Sequence, residues 1–292
     1  MTVSSSSASA APPVARRPSR LARLAAQPLW AYLTVALGVL MLYLILADPN
    51  YRDTFLFLLP GVQVTLRVAL SAYGLAIVLG LIIGLARTSK NPIVYNLATF
   101  YVQIMRGIPM IVLILYVAFV GVTEIVNAIK AVGAWGLTWA EGTFLAGLFH
   151  SLAQASIRSI SLEMRAIIAL AMGYAAFEAE VFRAGIESIG KGQMEAALSL
   201  GMSYWQAMRL VILPQAIRRI LPPLGNDLVA IIKDSALITV LAVRDITQLA
   251  RLRKAATFRS LETYNIVVFL YLSMTLSLSA VVRYIERKWR VV

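Results

Sequence analysis

Long apolar runs separated by short polar segments dominate this chain of 292 residues. A helix needs about 20 apolar residues to cross a bilayer, so each run of this length predicts one membrane span. The sequence therefore predicts an all-α, polytopic membrane protein with about six transmembrane helices. The predicted spans cover approximately residues 29–47, 60–86, 93–122, 164–186, 217–243 and 264–284.

The third apolar run contains a predicted break. The sequence Arg-Gly-Ile-Pro ends at Pro109 within this run. A proline cannot donate the backbone hydrogen bond that a continuous helix requires. We therefore expect the helix to kink or to end at Pro109.

A long segment, residues 123–162, separates the third and fourth spans. It contains four glycines and the tryptophans Trp135 and Trp139, and it ends in an amphipathic stretch. Tryptophan is enriched at membrane surfaces, and amphipathic helices lie in the plane of the interface. The pattern therefore predicts an outer insertion, built as a loop with an interfacial helix.

The polar segment 188–214 lies between the fourth and fifth spans. Its pattern predicts two short helices around Gly201, because glycine readily ends a helix. Ser203 and Gln206 have the spacing of a capping box at the start of the second helix. Pro214 is expected to end that second helix, since it lacks an amide hydrogen.

Each helix of this segment has a predicted apolar face. Met194, Ala197 and Leu198 share one face of the first helix, and Trp205, Met208 and Ile212 share one face of the second. Apolar faces outside the bilayer require a cover. The segment therefore predicts a contact with another protein.

The composition excludes a soluble domain. Hydrophobic residues make up 60% of the chain and charged residues 14%, with a mean hydropathy of +0.77, whereas ordinary globular domains are about 45–50% apolar. The chain has no cysteine and one histidine, which excludes disulfides, thiolate metal sites and cysteine nucleophiles. We therefore predict neither a metal site nor a cofactor.

The net charge of +13 is explained by membrane topology better than by nucleic-acid binding, because the basic residues cluster at both ends and between the apolar runs. Residues 1–28, rich in Ser, Ala, Pro and Arg, predict a disordered basic tail. Arginines precede the first span and follow the last, so both termini are predicted to be cytoplasmic. The basic residues between Arg244 and Arg259 would lie outside, against this tendency.

Four charged residues are predicted inside the membrane, namely Arg106, Glu180, Lys233 and Asp234. A charge at the centre of a spanning helix costs about 2.5–3.5 kcal/mol on insertion scales, so such residues usually line a pathway or form pairs. An amino acid carries a carboxylate and an ammonium group, which these side chains complement. They are therefore candidates for a substrate pathway. Because adjacent residues of a helix do not face each other, we expect either an interruption near Lys233 and Asp234 or a separate partner for each of them.

A structural role is the alternative for two of these residues. Arg183 lies three residues after Glu180 and four before Glu187, which is the spacing of a local ion-pair ladder. Arg106 is alternatively explained by pairing between helices or by a side chain that reaches toward the interface. Glu178 is interpreted as an ordinary boundary residue.

The segment 188–214 carries a motif that resembles a known docking loop. The residues of this motif are Glu195, Ala196, Ala197, Gly201, Ile212, Leu213 and Pro214. In this spacing they resemble the loop with which permease subunits of bacterial ATP-binding-cassette importers dock on their ATPase. The surrounding sequence is similar to the branch of that family that takes up polar amino acids. This similarity rests on Gly61, Thr65, Leu66, Arg106, Gly107, Pro109, Gln215, Asn226, Lys233, Asp234 and Ser235.

The resemblance implies a permease domain at 60–287 with five core helices, an extra N-terminal helix at 29–47 and a cytoplasmic ATPase-docking loop at 188–214. It also implies that the chain translocates a polar amino acid across the bacterial cytoplasmic (inner) membrane and is not itself an enzyme. The implied partners, besides membrane lipid, are an ATP-binding-cassette ATPase, an extracytoplasmic amino-acid-binding protein and a second permease, identical or a sister subunit.

Other functions explain the sequence less well. A proton-coupled secondary transporter is the main alternative, because acidic residues in spans are able to carry protons, but it gives the segment 188–214 no role. A membrane hydrolase would use Ser203, yet the only histidine, His150, is predicted on the opposite side of the membrane. The string 185–192 resembles a phosphate-binding loop, but Gly192 stands where magnesium requires Ser or Thr.

Overall fold

The computed structural model of the protein describes residues 29–289, and the predicted tail at 1–28 lies outside the described residues. Across the described range the chain forms helices joined by short turns, with no strand. The predicted all-α fold is therefore confirmed. The helices are α1 (Leu29–Ala47), α2 (Pro49–Ala86), α3 (Pro92–Gly107), α4 (Met110–Tyr116), α5 (Val122–Ala140), α6 (Ala146–Ala153), α7 (Leu162–Glu187), α8 (Lys191–Ser199), α9 (Tyr204–Ala207), α10 (Leu213–Asp234), α11 (Ile246–Thr257) and α12 (Ser260–Trp289).

Three described helical stretches are long and apolar enough to cross a membrane, namely Pro49–Ala86, Met110–Ala140 and Ser260–Lys288. A fourth stretch, Tyr32–Ala47 within α1, is apolar but shorter. The helices α7 and α10 carry more charged side chains, and they pack among the apolar helices. Charged residues inside a bundle of this kind are rare and usually functional.

The helices α2 and α7 pack side by side at the centre of the fold. Glycines permit this approach: a Cβ atom added at Gly80 would lie 2.5 Å from the Cβ of Glu178, and one added at Gly84 would lie 2.9 Å from the carbonyl oxygen of Ala179. Small residues let membrane helices approach each other closely. The helices α3, α10 and α12 pack around this central pair.

The second span begins earlier than predicted, at Pro49 instead of Pro60. Asp48 caps α2 by accepting a hydrogen bond from the Asn50 amide at 2.7 Å, and proline is favourable in the first turn of a helix. Pro60 lies within α2. Prolines are tolerated in membrane helices because neighbouring groups satisfy the backbone atoms that they leave free.

The third span breaks at the predicted position. α3 ends at Gly107 and α4 begins at Met110, with Ile108 and Pro109 in extended conformations between them. The cause is local, because a proline drives the preceding residue out of the helical region and has no amide hydrogen of its own. The predicted break at Pro109 is confirmed.

The chain is mostly helical at 123–162, where the sequence predicts a loop with one interfacial helix. A π-helical turn, Val117–Gly121, joins α4 to α5, and α6 folds back against α5. Gly133 and Gly136 make this packing close, since a Cβ atom added at either would overlap atoms of α6. The glycines that indicate a loop in the sequence therefore allow two helices to touch.

The fifth span changes its helix type where an interruption is expected. α10 ends at Asp234, directly after Lys233, and a 3₁₀-helix, Ser235–Leu241, follows. This 3₁₀-helix is followed by Ala242, whose φ of 56° lies in the left-handed region. The interruption predicted near Lys233 and Asp234 is confirmed.

Candidate functional site

The segment 188–214 begins with α8, which ends in a glycine-based cap. The Gly201 amide donates to the Leu198 carbonyl at 2.9 Å, and the Met202 amide donates to the Ala197 carbonyl at 3.2 Å. These two bonds form a Schellman motif, which requires a left-handed residue. Gly201 is this left-handed residue, with a φ of +81°, and a Cβ atom added to it would have no neighbouring atom within 4 Å. The prediction that Gly201 ends the first helix is confirmed.

The helix α9 begins with the predicted capping box. Ser203 accepts a hydrogen bond from the Gln206 amide at 3.3 Å, and the Gln206 side chain accepts one from the Ser203 amide at 2.8 Å. The prediction that Pro214 ends this helix is wrong. A π-helical turn, Met208–Ile212, leads from α9 directly into α10. Pro214 lies in the first turn of α10, where a missing amide hydrogen is tolerated.

One face of the segment is covered within the chain itself. Ala197 and Ile212 are only 4% and 5% exposed. Ile212 packs in a cluster with Ile189, Ala216 and Ile220, which belong to the end of the preceding span and to α10. The apolar faces that the sequence predicts are therefore satisfied in part by the protein's own spans.

The opposite face of the segment is apolar and uncovered. Trp205 is 78% exposed and Leu200 is 81% exposed, so Trp205 does not share the buried side of Ile212 as the helical pattern predicts. Glu195 and Ala196 of the motif are also exposed. We name the exposed apolar side chains of the segment and of the adjoining turn of α10 the docking surface, after the contact that the sequence predicts there: Leu198, Leu200, Tyr204, Trp205, Leu210, Leu213 and Ile217.

Polar contacts fasten the segment to the spans on both sides. Arg219 of α10 donates a hydrogen bond to the carbonyl of Ser188, the residue that follows α7. The Gln215 side chain donates to the Val211 carbonyl at 2.9 Å and to the Gln193 side chain at 3.4 Å. With the continuous helix into α10, these contacts make the docking surface part of one stiff unit with a spanning helix.

A second group of contacts brings together predicted pathway residues from three elements. The guanidinium of Arg106 lies over the Phe177 ring, 5.7 Å from its centroid. The Phe177 and Tyr174 rings are 5.9 Å apart, and the Tyr174 hydroxyl donates to the Asp234 carboxylate at 2.8 Å. Arg106 and Asp234 are thus linked through two aromatic residues of α7.

This group offers complementary chemistry for an amino acid. Arg106 and Lys233 are exposed in the isolated chain, and Asp234 is half-buried. The two cations are donors for a carboxylate, and Asp234 is an acceptor for an ammonium group. Cation–π contact with Phe177 orients the Arg106 guanidinium without neutralising it.

Glu180 lies apart from the contacts that link Arg106 to Asp234, and Lys233 is related to that group only as the sequence neighbour of Asp234. The Glu180 carboxylate pairs with Arg87, which follows α2, and with Arg183 one turn further along α7, and Arg183 also pairs with Glu187. The ion-pair ladder weighed as the alternative for Glu180 is therefore present, with Arg87 as an additional member. A cleft of about 320 Å³ adjoins it and is lined by Glu180 and Arg219.

Glu178 was missed by the sequence interpretation. It is 0% exposed, and neither carboxylate oxygen has a hydrogen-bond partner, so it is no boundary residue. It lies against Gly80 in the contact between α2 and α7. Glu178 shares a helical face with Tyr174, one turn earlier on α7, which is a signal in the sequence for this position.

The described residues contain no group of three or more His, Asp or Glu side chains that would hold a metal ion.

The candidate site has two parts, one at each end of α10. The docking surface lies at the start of this helix, and the group that links Arg106 to Asp234 lies at its end.

Comparison with known proteins identifies similar sequences over most of the chain. The family model for the binding-protein-dependent transport system inner membrane component matches residues 76–291. The glutamine transport system permease protein GlnP of Escherichia coli K12 is 32% identical over 234 residues, which cover 80% of this chain and 93% of GlnP. The arginine transport system permease protein ArtQ of Bacillus subtilis strain 168 is 29% identical over 233 residues, which cover 80% of this chain and 92% of ArtQ.

Solved structures show the same architecture. A crystal structure of an amino acid ABC transporter with histidines aligns with a TM-score of 0.64 and 31% identity, over 84% of this chain and 98% of that chain. An inward-facing form of the MetNI methionine ABC transporter aligns with a TM-score of 0.58 and 20% identity, over 80% of this chain and 97% of that chain. At that identity, the second likeness shows a shared fold only.

Proposed function

The chain belongs to the inner membrane components of binding-protein-dependent transport systems, as a permease subunit of an ATP-binding-cassette amino-acid importer, and we propose that it carries a polar amino acid past Arg106, Lys233 and Asp234. Relatives are named for the transport of glutamine, arginine and glutamate or aspartate, which supports a polar substrate. The same relatives favour an importer over the proton-coupled secondary transporter weighed on the sequence.

The ATPase-docking role of the segment 188–214 rests above all on one observation, the uncovered docking surface. Trp205 in α9 and Leu200 directly after α8 are more than three-quarters exposed, although a glycine turn ends α8 and a capping box begins α9. Large exposed apolar patches on ordered elements mark interaction sites, and tryptophan is enriched among residues that dominate binding energy. In the proposed complex, an ATPase subunit covers this surface and supplies the ATP hydrolysis.

In the proposed pathway, the substrate carboxylate meets Arg106 and Lys233, and its ammonium group meets Asp234. The break at Pro109 supports this role, because it frees backbone polar groups beside Arg106. Non-helical backbone at membrane depth is tolerated where it lines a cavity or is buried in protein. The Tyr174 hydroxyl holds the Asp234 carboxylate in place.

We assign Glu180 to the cytoplasmic end of this pathway, where its ion pair with Arg87 clamps the end of α2 to α7. The cleft that it lines lies beside Ser188 and Arg219, the residues that tie α7 to α10. Glu178 has no hydrogen-bond partner in this structure, and we infer that it gains one only when the contact between α2 and α7 changes during transport.

The remaining partners follow from the family. We propose that an extracytoplasmic amino-acid-binding protein delivers the substrate and that a second permease, identical or a sister subunit, completes the pathway. With both termini cytoplasmic, the docking surface faces the ATPase and the segment 123–162 lies on the outer side.

The test is co-purification followed by transport. We expect the chain to co-purify with an ATPase subunit encoded beside it, and proteoliposomes of the complex to accumulate a polar amino acid only with hydrolysable ATP. Trp205→Ala should weaken ATPase binding by roughly 2 kcal/mol or more, about 30-fold, as for a central interface tryptophan. Phe144→Ala is the matched control, because Phe144 is 92% exposed but lies in the turn between α5 and α6.

Two outcomes would contradict the proposal. Transport that continues without ATP hydrolysis would remove the importer function itself. An ATPase that binds Trp205→Ala as tightly as the unmodified chain would leave the importer intact but would show that the docking surface is wrongly assigned.

A further inference from the structure

The helices α5 and α6 form an antiparallel pair, which we name the outer hairpin (residues 122–153). Beyond Val126, α5 packs mainly against α6 and not against the remaining helices. The hairpin sits at the N-terminal end of α7, whereas the docking segment follows the C-terminal end of the same helix. The two features therefore lie at opposite ends of the bundle.

The outer hairpin is too long to belong to a perpendicular span. The helical stretch Met110–Ala140 has 31 residues, but it starts at mid-depth, because Met110 lies against Gly173 near the middle of α7. Half of a hydrocarbon core of about 30 Å takes roughly ten helical residues. About 20 residues, or roughly 30 Å of helix, therefore extend past the bilayer boundary.

The base of the outer hairpin contains a π-helical turn and a clamp. The π-helical turn Val117–Gly121 lies where the stretch should leave the hydrocarbon core, and π-turns are a recognised cause of helix bending. The Arg165 guanidinium donates to the carbonyls of Ala118 at 3.4 Å, Ile157 at 2.8 Å and Ile160 at 3.0 Å. One side chain thus joins the entry and the exit of the hairpin to α7.

One exposed stripe of α5 is apolar, with Glu124 at its edge. Its residues follow each other at alternating spacings of three and four, which places them on a single helical stripe. We name this set the tryptophan stripe: Ile125, Ala128, Val132, Trp135 and Trp139. Trp135 is 64% exposed and Trp139 is 52% exposed. The opposite exposed face carries Asn127, Lys130, Thr138 and Glu141.

The chemistry of the stripe identifies what covers it. The stripe has no charged member, so it offers nothing for charge complementarity with a protein partner. It continues the apolar surface of α4, where Val112 and Tyr116 are 49% and 59% exposed as expected of side chains that face lipid. Tryptophan favours the boundary between headgroups and acyl chains, and a helix with one apolar and one polar face lies flat in that boundary.

We propose that the outer hairpin bends at the π-helical turn, lies along the outer face of the membrane and buries the tryptophan stripe in the lipid interface. The hairpin then anchors the permease at the outer membrane surface. Arg165 holds the bend, and the polar side of α5 with Asn127 and Thr138 faces the water.

The absence of cysteine from the sequence permits a direct test with single introduced cysteines. Val132→Cys and Ile125→Cys report on the stripe, and Thr138→Cys and Asn127→Cys report on the opposite face of the same helix. Each variant carries a nitroxide label in lipid nanodiscs, and its collision rates with oxygen and with a water-soluble nickel chelate are measured. We expect the stripe labels to collide several-fold more with oxygen than with nickel, and the control labels to show the reverse.

Equal nickel accessibility at Val132 and Thr138 would place the stripe in water and overturn the proposal. Nickel accessibility at Val132 that falls only after addition of the extracytoplasmic binding protein would also overturn it, because the stripe would then be a protein-docking face. Measuring two positions on each face ensures that one poorly folded variant does not decide the result.

Discussion

The turn at Gly201 allows the docking assignment to be tested by backbone geometry alone. Gly201 has a φ of +81°, and no atom lies within 4 Å of its missing Cβ. Gly201→Ala therefore introduces no clash, and its only direct cost is the strain of a side chain in the left-handed region, about 1–2 kcal/mol. Gly201→Val should cost more, because a β-branched residue rarely adopts this conformation. Gly201→Asn should cost least, because asparagine visits this region readily.

This strain should appear as weaker ATPase binding. The Schellman motif sets the angle between α8 and α9, which carry Leu200 and Trp205 of the docking surface. If only the capped turn fits the ATPase, then 1–2 kcal/mol of strain lowers the apparent affinity by about 5–30-fold. We expect affinities in the order Gly, Asn, Ala, Val, measured by titrating the ATPase onto the permease in nanodiscs, with coupled uptake falling in parallel.

Gly192→Ala is the matched control for this series. Gly192 also has no atom within 4 Å of its missing Cβ, but its φ is outside the left-handed region and it lies in α8. Alanine there should favour the helix by about 1 kcal/mol and leave affinity unchanged. The reasoning is refuted if Gly201→Val binds the ATPase as tightly as Gly192→Ala, or if Gly192→Ala weakens binding as much as Gly201→Val does.

Two further predictions concern the acidic residues of α7. Glu180→Gln should lower the thermal stability of the permease more than Glu187→Gln does, because Glu180 joins two helices. It should leave substrate affinity within about twofold, an energy well under 1 kcal/mol. A tenfold loss of affinity at unchanged stability would instead show that Glu180 contacts the substrate. Glu178→Met should raise the thermal stability of the permease, since it removes an unpartnered buried carboxylate that costs about 1–3 kcal/mol. The same variant should slow uptake. A variant that is more stable and transports normally would exclude a functional role for Glu178.

Features with local causes were predictable from the sequence. The Schellman motif at Gly201, the capping box at Ser203 and the break at Pro109 each depend on residues within one or two turns, and all three are present. The end of α1 at Ala47 coincides with the end of the predicted span 29–47, and Asp48 directly after it caps α2.

Features that depend on distant neighbours were not predictable. Pro60 indicates a helix boundary by its chemistry, but α2 continues through it while packed against other helices. Pro214 indicates a helix end, but it lies in the first turn of α10, where proline is tolerated. Arg87 and Glu180 pair across 93 residues of sequence, which no local spacing reveals. Glu178 resembles a boundary residue until the close approach at Gly80 places it inside the contact between α2 and α7.

Continuity of the backbone explains how the proposed docking surface and pathway work together. From Tyr204 to Asp234 the chain is helical throughout, including a π-helical turn at Met208–Ile212, so α10 extends about 33 Å from the docking segment to the pathway. A displacement of Trp205 by a closing ATPase would therefore be transmitted to α10, because no flexible loop separates the two. The least stiff point along this path is Pro222–Pro223 within α10, where missing amide hydrogens leave carbonyls unpaired. Motion of the docking segment should therefore tilt the outer half of α10 about these prolines and act on the hydrogen bond that Asp234 receives from α7.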